Sequence, residues 1–324
     1  MVSVIRLART GGPDVMTLEE TNEQKPGPGE AWLDQAAIGV NFLDITQRKG
    51  AVPIPLPSGL GYEGAGQVIA IGSGVENIHV GDRVAYAGGP IGAYAGGRLY
   101  PAARLVRLPD NLSFVDAAAV LFKGITAQYL IKSTYPIGPG KVMLLYGAAG
   151  AVGQIMVPWA KHLGAFVIGV VSKEASIVTG QALGCDAVLV WGAGDLPASV
   201  AKLTSGRKAD VVYDPIGAAT FEASLDSLRL RGMLVSFGAS SGPPPAVEVG
   251  TLNAKGSLFL TRPSLVAHTA DAEEYQERAG DVFAAVAAGI IKPSVRRSFS
   301  LAEASDAHAA LEGGKSSGAI ILKP

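Results

Sequence analysis

Apolar and polar positions follow different patterns in the two halves of the chain. Up to about residue 121, short alternating runs such as 30–36 and 66–72 lie between segments rich in Gly and Pro. Alternation with a period of two is typical of half-buried strands, and Gly and Pro mark the turns between them. The sequence therefore predicts an irregular, β-rich first domain.

From about residue 122, apolar strands alternate with segments of helical length. The six predicted strands cover residues 142–146, 166–171, 187–190, 210–214, 233–237 and 257–260. Strands that alternate with helices indicate a parallel, doubly wound sheet, so this half is predicted to be a Rossmann domain in an α/β protein.

The remaining segment is predicted to return to the first domain. It contains a strong helical pattern at 272–288 and short strand-like runs at 295–299 and 318–322. We therefore expect a discontinuous first domain, 1–121 with 266–324, and a Rossmann domain at 122–265.

Composition and charge narrow the classes of function. The 27 Lys and Arg residues nearly balance 28 Asp and Glu residues, which gives a net charge of -1. No long-range field attracts nucleic acid or an acidic membrane, so neither is an expected partner. Arg6 and Arg9 interrupt the N-terminus, and no apolar run reaches 18 residues. With Cys185 as the single cysteine, we expect a soluble cytoplasmic protein.

A glycine-rich turn follows the first strand of the Rossmann half. The segment from Gly147 to Gly153 lies between this strand and a helical stretch. Small residues at Gly150 and Ala151 allow a pyrophosphate to approach the N–H groups at a helix start, and Gly153 allows close packing of helix and strand. This context predicts a dinucleotide site, and the alternative is an ordinary tight turn.

The end of the second Rossmann strand indicates which dinucleotide binds. An NAD site places a carboxylate there, whereas this chain has Ser172 and Lys173 before Glu174. A hydroxyl and a cation suit a 2′-phosphate, so NADPH is expected. The alternative is a solvated lysine at a helix start.

Several motifs together resemble one family over nearly the whole chain. They are GVNFLD (39–44), SGLGYEGAG (58–66), GDRV (81–84), FKGITA (122–127), the glycine turn, YDPIG (213–217), FG (237–238) and LFLTRPSL (258–265). The chain resembles the zinc-independent quinone oxidoreductases of the zeta-crystallin type, in the medium-chain dehydrogenase/reductase family. This resemblance implies a GroES-like catalytic domain, a Rossmann domain, hydride transfer from NADPH to a small quinone, and a homodimer.

The resemblance also implies that no metal takes part. Zinc-dependent relatives have a cysteine near the position of Asn41 and a histidine at that of Tyr62. A catalytic zinc needs three protein ligands. The chain offers only Cys185 and four scattered histidines, at positions 79, 162, 268 and 308.

Three residues are candidates for the chemistry. The resemblance places the Asn41 amide near the acceptor oxygen, where one preorganised donor contributes roughly 3 kcal/mol. Asn41 could instead orient the nicotinamide or close a turn. Thr46 replaces the family's tyrosine, which widens the pocket and removes a stacking surface. Lys123 is a further candidate near the cofactor, with an equally plausible structural role.

The remaining resemblances concern the cofactor and a partner chain. The positions that match cofactor contacts of the family are Thr126, Gly150, Ala151, Val152, Gly153, Ser172, Lys173, Phe237, Gly238 and Arg262. Trp191 replaces a tyrosine beside the adenosine, and Lys315 stands near the place of an arginine. The apolar segment 255–265 predicts an exposed sheet edge that pairs with a second copy, unless other elements cover it in a monomer.

Two other functions remain open on the sequence alone. The same fold could reduce the double bond of an enone or enoyl thioester. The chain could also bind NADPH as a structural or RNA-associated protein without essential turnover, although its near-neutral charge argues against nucleic acid.

Overall fold

The computed structural model describes residues 1–314 and 318–324. It consists of two compact units. The first comprises Met1–Ile125, Thr269–Ala287 and Lys292–Pro324, and the second comprises Thr126–His268 and Ala288–Ile291. The divisions after residues 125 and 268 lie slightly beyond the expected domain boundaries at 121 and 265.

The N-terminal part of the first unit is rich in strands. Its elements are β1 (Val2–Leu7), β2 (Met16–Thr21), β3 (Glu30–Val40), α1 (Phe42–Arg48), β4 (Glu63–Ile71), β5 (Arg83–Ala87), β6 (Gly97–Pro101), β7 (Val106–Arg107) and α2 (Phe114–Gln128). The division between the units falls within α2, after Ile125, and a π-helical segment, Tyr129–Thr134, continues this helix in the second unit.

The second unit alternates strands with helices. Its elements are β8 (Val142–Tyr146), α3 (Gly153–His162), β9 (Phe166–Val171), α4 (Ile177–Ala182), β10 (Ala187–Val190), α5 (Leu196–Leu203), β11 (Ala209–Asp214), α6 (Phe221–Asp226), β12 (Leu228–Ser236), α7 (Val249–Ala254), β13 (Phe259–Thr261) and α8 (Leu265–His268).

The C-terminal part of the chain completes the first unit. It forms α9 (Ala272–Ala287), β14 (Val295–Ser300), α10 (Ala304–Glu312) and β15 (Ala319–Lys323). The sheet order is β14-β15-β3-β4-β5-β7, and β6 also pairs with β3. Because β15 pairs with β3 and buries Ile320 and Leu322 in the same core as Leu33 and Ile38, the two chain ends form one domain.

The sheet of the second unit has the order β10-β9-β8-β11-β12-β13, with every neighbouring pair parallel. This is the predicted doubly wound arrangement, which confirms the α/β fold class. The strand order reverses between β8 and β11. Ligands of such sheets bind outside the carboxyl ends of the strands at this reversal.

Two strands of the second unit begin away from their predicted starts. The sixth strand was expected at 257–260, but Ser257 has a φ of 54° and β13 begins only at Phe259. The fifth strand was expected at 233–237. It starts earlier, at Leu228, and ends at Ser236. Its first part escapes prediction because Arg229, Arg231 and Gly232 interrupt the apolar run before residue 233. Arg231 is also left-handed, with a φ of 58°.

Among the residues that the structure describes, one helix is long and apolar enough to cross a membrane. It spans Phe114–Thr134, and 72% of its most apolar window is buried inside the protein. A core helix of a soluble protein can have the same length and the same apolar composition. This helix is therefore weak evidence for a membrane span. Sequence analysis found no unbroken apolar run there because Asp116, Lys123 and Lys132 interrupt the segment.

Candidate active site

A buried polar cluster lies where β3 ends and β4 begins. Asn41 follows β3, Glu63 opens β4, and Lys123 lies in α2; their exposed fractions are 5%, 0% and 5%. Antiparallel pairing of β3 with β4 brings Asn41 and Glu63 to the same end of the sheet. The structure therefore joins two of the three predicted catalytic candidates.

The cluster is held by a closed set of hydrogen bonds. The Lys123 ammonium donates to Asn41 Oδ1 at 2.8 Å and to Glu63 Oε2 at 3.1 Å. Asn41 Nδ2 donates to Glu63 Oε2 at 3.0 Å. Since an ammonium only donates and a carboxylate only accepts, these contacts fix which way the Asn41 amide points. The Phe122 N–H donates to the other carboxylate oxygen at 2.7 Å.

Gly39 makes room for the Glu63 carboxylate. A Cβ at this position would lie 2.1 Å from Glu63 Oε2 and 2.5 Å from the Ala118 carbonyl oxygen. Neither atom can withdraw freely, because the carboxylate is bonded to three donors and the carbonyl is part of α2. Only glycine therefore allows β3, the carboxylate and the helix to approach this closely.

Sequence analysis did not select Glu63 as a site residue. Its signal was a carboxylate directly after Gly61 and Tyr62, at the start of an otherwise apolar strand. Buried carboxylates are rare unless they are paired. A search for acidic residues inside apolar strands would have found it.

The third catalytic candidate, Thr46, uses its hydroxyl proton within α1. Its Oγ1 donates to the Leu43 carbonyl oxygen at 2.8 Å. The side chain thus presents oxygen lone pairs and a methyl group to its surroundings. Tyr62, at the position of a histidine in zinc-dependent relatives, accepts a hydrogen bond from Gln47 Nε2 at 2.9 Å.

A second buried network lies beneath α1. Asp44 Oδ2 accepts from the Asn41 N–H at 2.8 Å and from the Tyr94 hydroxyl at 2.9 Å. Tyr94 Oη lies 2.9 Å from His308 Nε2. When Asp44 is ionised it only accepts, so the Tyr94 hydroxyl donates to it and the His308 Nε2–H donates to Tyr94.

Burial shifts the protonation of both ends of this network. It raises the pKa of Asp44 from 3.8 to about 7, although the bonds from Asn41 and Tyr94 act in the opposite direction. Burial, together with the Arg48 charge, lowers the pKa of His308 from 6.5 to about 3. At neutral pH His308 is therefore uncharged, and Asp44 is partly protonated.

Replacing Asp44 by Asn is expected to reduce the pH dependence of stability. The folded state holds the Asp44 proton more tightly than the unfolded state. Protonated Asp44 therefore contributes to the free energy of unfolding. This contribution is full below about pH 4 and is lost as the pH rises through about 7. The slope is at most about 1.4 kcal/mol per pH unit. Urea unfolding from pH 4.5 to 7.5 should show a shallower fall for Asp44→Asn than for wild type, with exposed Glu23→Gln as control. Parallel curves for wild type and Asp44→Asn would contradict this account.

The turn after β8 has the geometry of an anion cradle. Gly147 adopts a φ of 68°, and a Cβ at Gly153 would lie 2.3 Å from the Ala148 carbonyl oxygen, so α3 packs directly against the turn. Within the described ranges 1–314 and 318–324, the N–H groups of Ala151 and Val152 have no acceptor. Free N–H groups at a helix start favour phosphate, so the turn fits a dinucleotide pyrophosphate.

The carboxyl ends of β9 and β10 carry the predicted adenosine contacts. Ser172 and Lys173 follow β9 directly, and both are exposed. Trp191 follows β10, is 36% exposed, and packs edge-to-face on Tyr146 at 5.8 Å. A hydroxyl, an ammonium and an accessible indole therefore lie at the same edge of the sheet.

On the other side of the strand reversal, Arg262 stabilises the loop after β12. Its Nη1 donates to the Gly238 carbonyl oxygen at 2.8 Å and to Ser236 Oγ at 3.2 Å. A Cβ at Gly238 would lie 2.4 Å from the Pro215 carbonyl oxygen, so this loop packs tightly on the one after β11. Arg262 thus positions Phe237 and Gly238, in addition to any contact of its own.

The remaining predicted residues occupy different surroundings. Thr126 is buried in α2. Lys315 lies outside the described residues. Burial raises the pKa of Cys185 to about 11. Across the described residues, no three His, Cys, Asp or Glu side chains are placed to share a metal ion.

Comparisons with known proteins agree over the full length of the chain. Residues 27–110 match the alcohol dehydrogenase GroES-like domain, and residues 151–283 match the zinc-binding dehydrogenase domain. A quinone oxidoreductase of Pseudomonas aeruginosa is 42% identical, with both chains covered completely. A 2-haloacrylate reductase of a Burkholderia species is also 42% identical, covering 100% of this chain and 99% of the relative.

Solved structures give the same result. The Escherichia coli quinone oxidoreductase complexed with NADPH has a TM-score of 0.97 at 41% identity, covering 99% of this chain and 100% of its own. A GroES-like unit with a Rossmann unit defines a two-domain nicotinamide-dependent oxidoreductase. The chain belongs to the medium-chain dehydrogenase/reductase family, among its quinone oxidoreductases, which confirms the resemblance found in the sequence.

Proposed function

We propose that the protein is an NADPH-dependent quinone reductase that transfers hydride to a small quinone without a metal. The observation that carries this proposal is the full-length similarity, at 41–42% identity, to quinone oxidoreductases. The phosphate cradle after β8 and the cation after β9 supply the features that an NADPH site requires.

When bound, NADPH supplies the hydride, and the chain supplies binding and orientation. The free N–H groups of Ala151 and Val152 hold the pyrophosphate, with Gly150 and Gly153 keeping the backbone close. Ser172 and Lys173 bind the 2′-phosphate, and Trp191 stacks on the adenine. The other proposed contacts are Thr126, Phe237, Gly238, Arg262 and Lys315.

The catalytic group of the first unit is Asn41 with Lys123, and Thr46 shapes the pocket. Reduction of a quinone places negative charge on oxygen, which an amide donor and an ammonium stabilise. The metal-free reaction is supported by the residues present, because neither Asn41 nor Tyr62 is a usual zinc ligand.

The 42% identity to a 2-haloacrylate reductase favours a second candidate, the reduction of an activated carbon–carbon double bond. The same hydride donor and the same oxyanion stabilisation serve both reactions. They differ only in which atom of the conjugated acceptor receives the hydride.

Steady-state oxidation of NADPH, with a chelator present, tests the proposed function. We expect fast consumption with a simple benzoquinone and an ortho-quinone, and no loss of rate with chelator. Turnover only with an enone, an enoyl thioester or 2-chloroacrylate would assign the second candidate. NADPH binding that protects against heat, without turnover of any acceptor, would indicate a structural or RNA-associated role.

Replacing Lys173 by Ala should weaken NADPH binding by at least tenfold and leave NADH binding nearly unchanged. The lysine faces only the 2′-phosphate in this proposal, and NADH lacks that group. Dissociation constants from fluorescence titration measure both, with Lys202→Ala as a control for an exposed lysine of the same unit. Equal losses for the two cofactors would exclude the 2′-phosphate role.

We also propose a homodimer formed through the sheet edge at residues 255–265. β13 is the last strand of its sheet, and Phe259 and Leu260 are 56% and 36% exposed. Sedimentation velocity should show a dimer for wild type and for Val80→Asp, but a monomer for Phe259→Asp. A monomeric wild type would contradict the proposal. The net charge of -1 supports the expectation of no nucleic-acid or acidic-membrane partner. The single cysteine, Cys185, fits a reducing compartment and supports a cytoplasmic protein.

A further inference from the structure

The Lys123 ammonium has one N–H more than its surroundings use. Two of its three donors reach Asn41 Oδ1 and Glu63 Oε2. Within the part of the chain that the structure describes, the third donor has no acceptor, although the side chain is only 7% exposed. Buried donors almost always have a partner. The free N–H therefore indicates an acceptor that comes from outside the chain.

A second donor is also weakly engaged. One N–H of Asn41 Nδ2 reaches Glu63 Oε2, and the other has only the Gly39 carbonyl oxygen, at 3.4 Å. This distance is long for an N–H···O bond. An ammonium and an amide, joined through Asn41 Oδ1, thus each retain a donor.

The charges of the cluster nearly cancel, so hydrogen-bond donors decide what it can bind. Within the described ranges, Glu63 is the single carboxylate bonded to Lys123, and it is shared with Asn41 and with the Phe122 N–H. Asp44 is partly protonated near neutral pH because burial raises its pKa to about 7. Tyr94 and His308, on the far side of Asp44, are both neutral. Glu63 cancels the charge of Lys123, so an oxyanion would be held by the remaining donors of Lys123 and Asn41 and not by an excess of positive charge.

The residues here do not fit the metal implied by the matched zinc-binding dehydrogenase domain. Asn41 and Tyr62 replace a cysteine and a histidine of zinc-dependent relatives, and the Tyr62 hydroxyl is bonded to Gln47. Across residues 1–314 and 318–324, no triad of metal-ligating side chains forms. The positive charge beside Asn41 is that of the lysine.

We propose that the Lys123 ammonium and the Asn41 amide, oriented by Glu63, form an oxyanion site that takes the place of a metal ion. This inference rests on the proposed function: the site binds the oxygen of the quinone as that oxygen becomes negative. With NADPH bound, hydride transfer would break a C–H bond of the nicotinamide, form a new bond from that hydrogen to the quinone, and leave NADP⁺. The quinone would gain two electrons in this step and become a hydroquinone monoanion, whose negative oxygen the Lys123 and Asn41 donors would stabilise. A proton from solvent would then give the hydroquinone.

The proposal assigns different roles to the three residues. Lys123 and Asn41 contact the reacting oxygen and are catalytic residues. Glu63 is a positioning residue that acts through them. The free N–H groups of Lys123 and Asn41 together form an oxyanion hole that consists of a cation and an amide.

Binding of p-nitrophenolate, a stable analogue of the hydroquinone monoanion, tests this site without turnover. Its absorbance distinguishes bound phenolate from bound phenol. With saturating NADP⁺, we expect wild type to bind the phenolate at least tenfold more tightly than Lys123→Met does. Lys123→Arg should retain most of the affinity, because it keeps the charge. Glu63→Asp should lose affinity, because it withdraws the carboxylate by one methylene.

The controls separate the oxyanion site from folding and from the proposed function. Lys161→Met removes a lysine–carboxylate pair of the second unit, at 2.7 Å from Asp186, and should leave phenolate affinity unchanged. NADP⁺ affinity, measured on every variant, reports folding. Absence of phenolate binding to wild type, or equal binding to Lys123→Met, would overturn the proposal even if quinones are reduced. Lysine-dependent phenolate binding without quinone turnover would support the site and reject the reductase function.

Discussion

The buried ion pair between Glu63 and Lys123 is the constraint on which the candidate active site depends. A carboxylate and an ammonium leave water at a cost of several kcal/mol each, and their mutual attraction offsets this cost only with precise geometry. That geometry needs glycine at position 39 and a fixed Asn41 amide. The pair therefore links the end of β3, the start of β4 and the middle of α2, and it determines which donors remain free.

The second unit places its chemistry through backbone geometry rather than through charge. Parallel pairing aligns the carboxyl ends of the strands, so Lys173, Trp191 and Phe237 lie at one edge although they are far apart in sequence. Tight contacts such as that of Gly153 with the Ala148 carbonyl oxygen hold the turns close to the sheet. The two units thus offer different groups: one presents backbone N–H groups at a helix start, and the other presents a buried cation.

Sequence periodicity predicted the Rossmann strands well because buried parallel strands are short, apolar and separated by turns. It failed at Ser257, where a left-handed residue shortens the strand without altering the apolar pattern. It also missed the first part of β12, where Arg229, Arg231 and Gly232 break the apolar run. Glu63 escaped notice because a charge in a strand usually marks an exposed face. The Asp44–Tyr94–His308 network joins residues 50 and 214 positions apart, and only the folded chain shows that they meet.

A double-mutant cycle on the free energy of unfolding tests the central claim, that Glu63 and Lys123 form one coupled unit. Glu63→Gln or Lys123→Met alone leaves a buried charge unpaired and should each cost about 3–5 kcal/mol. The double variant should cost clearly less than the sum of the two. Small, additive losses would show that the pair does not constrain the site, and would contradict the account.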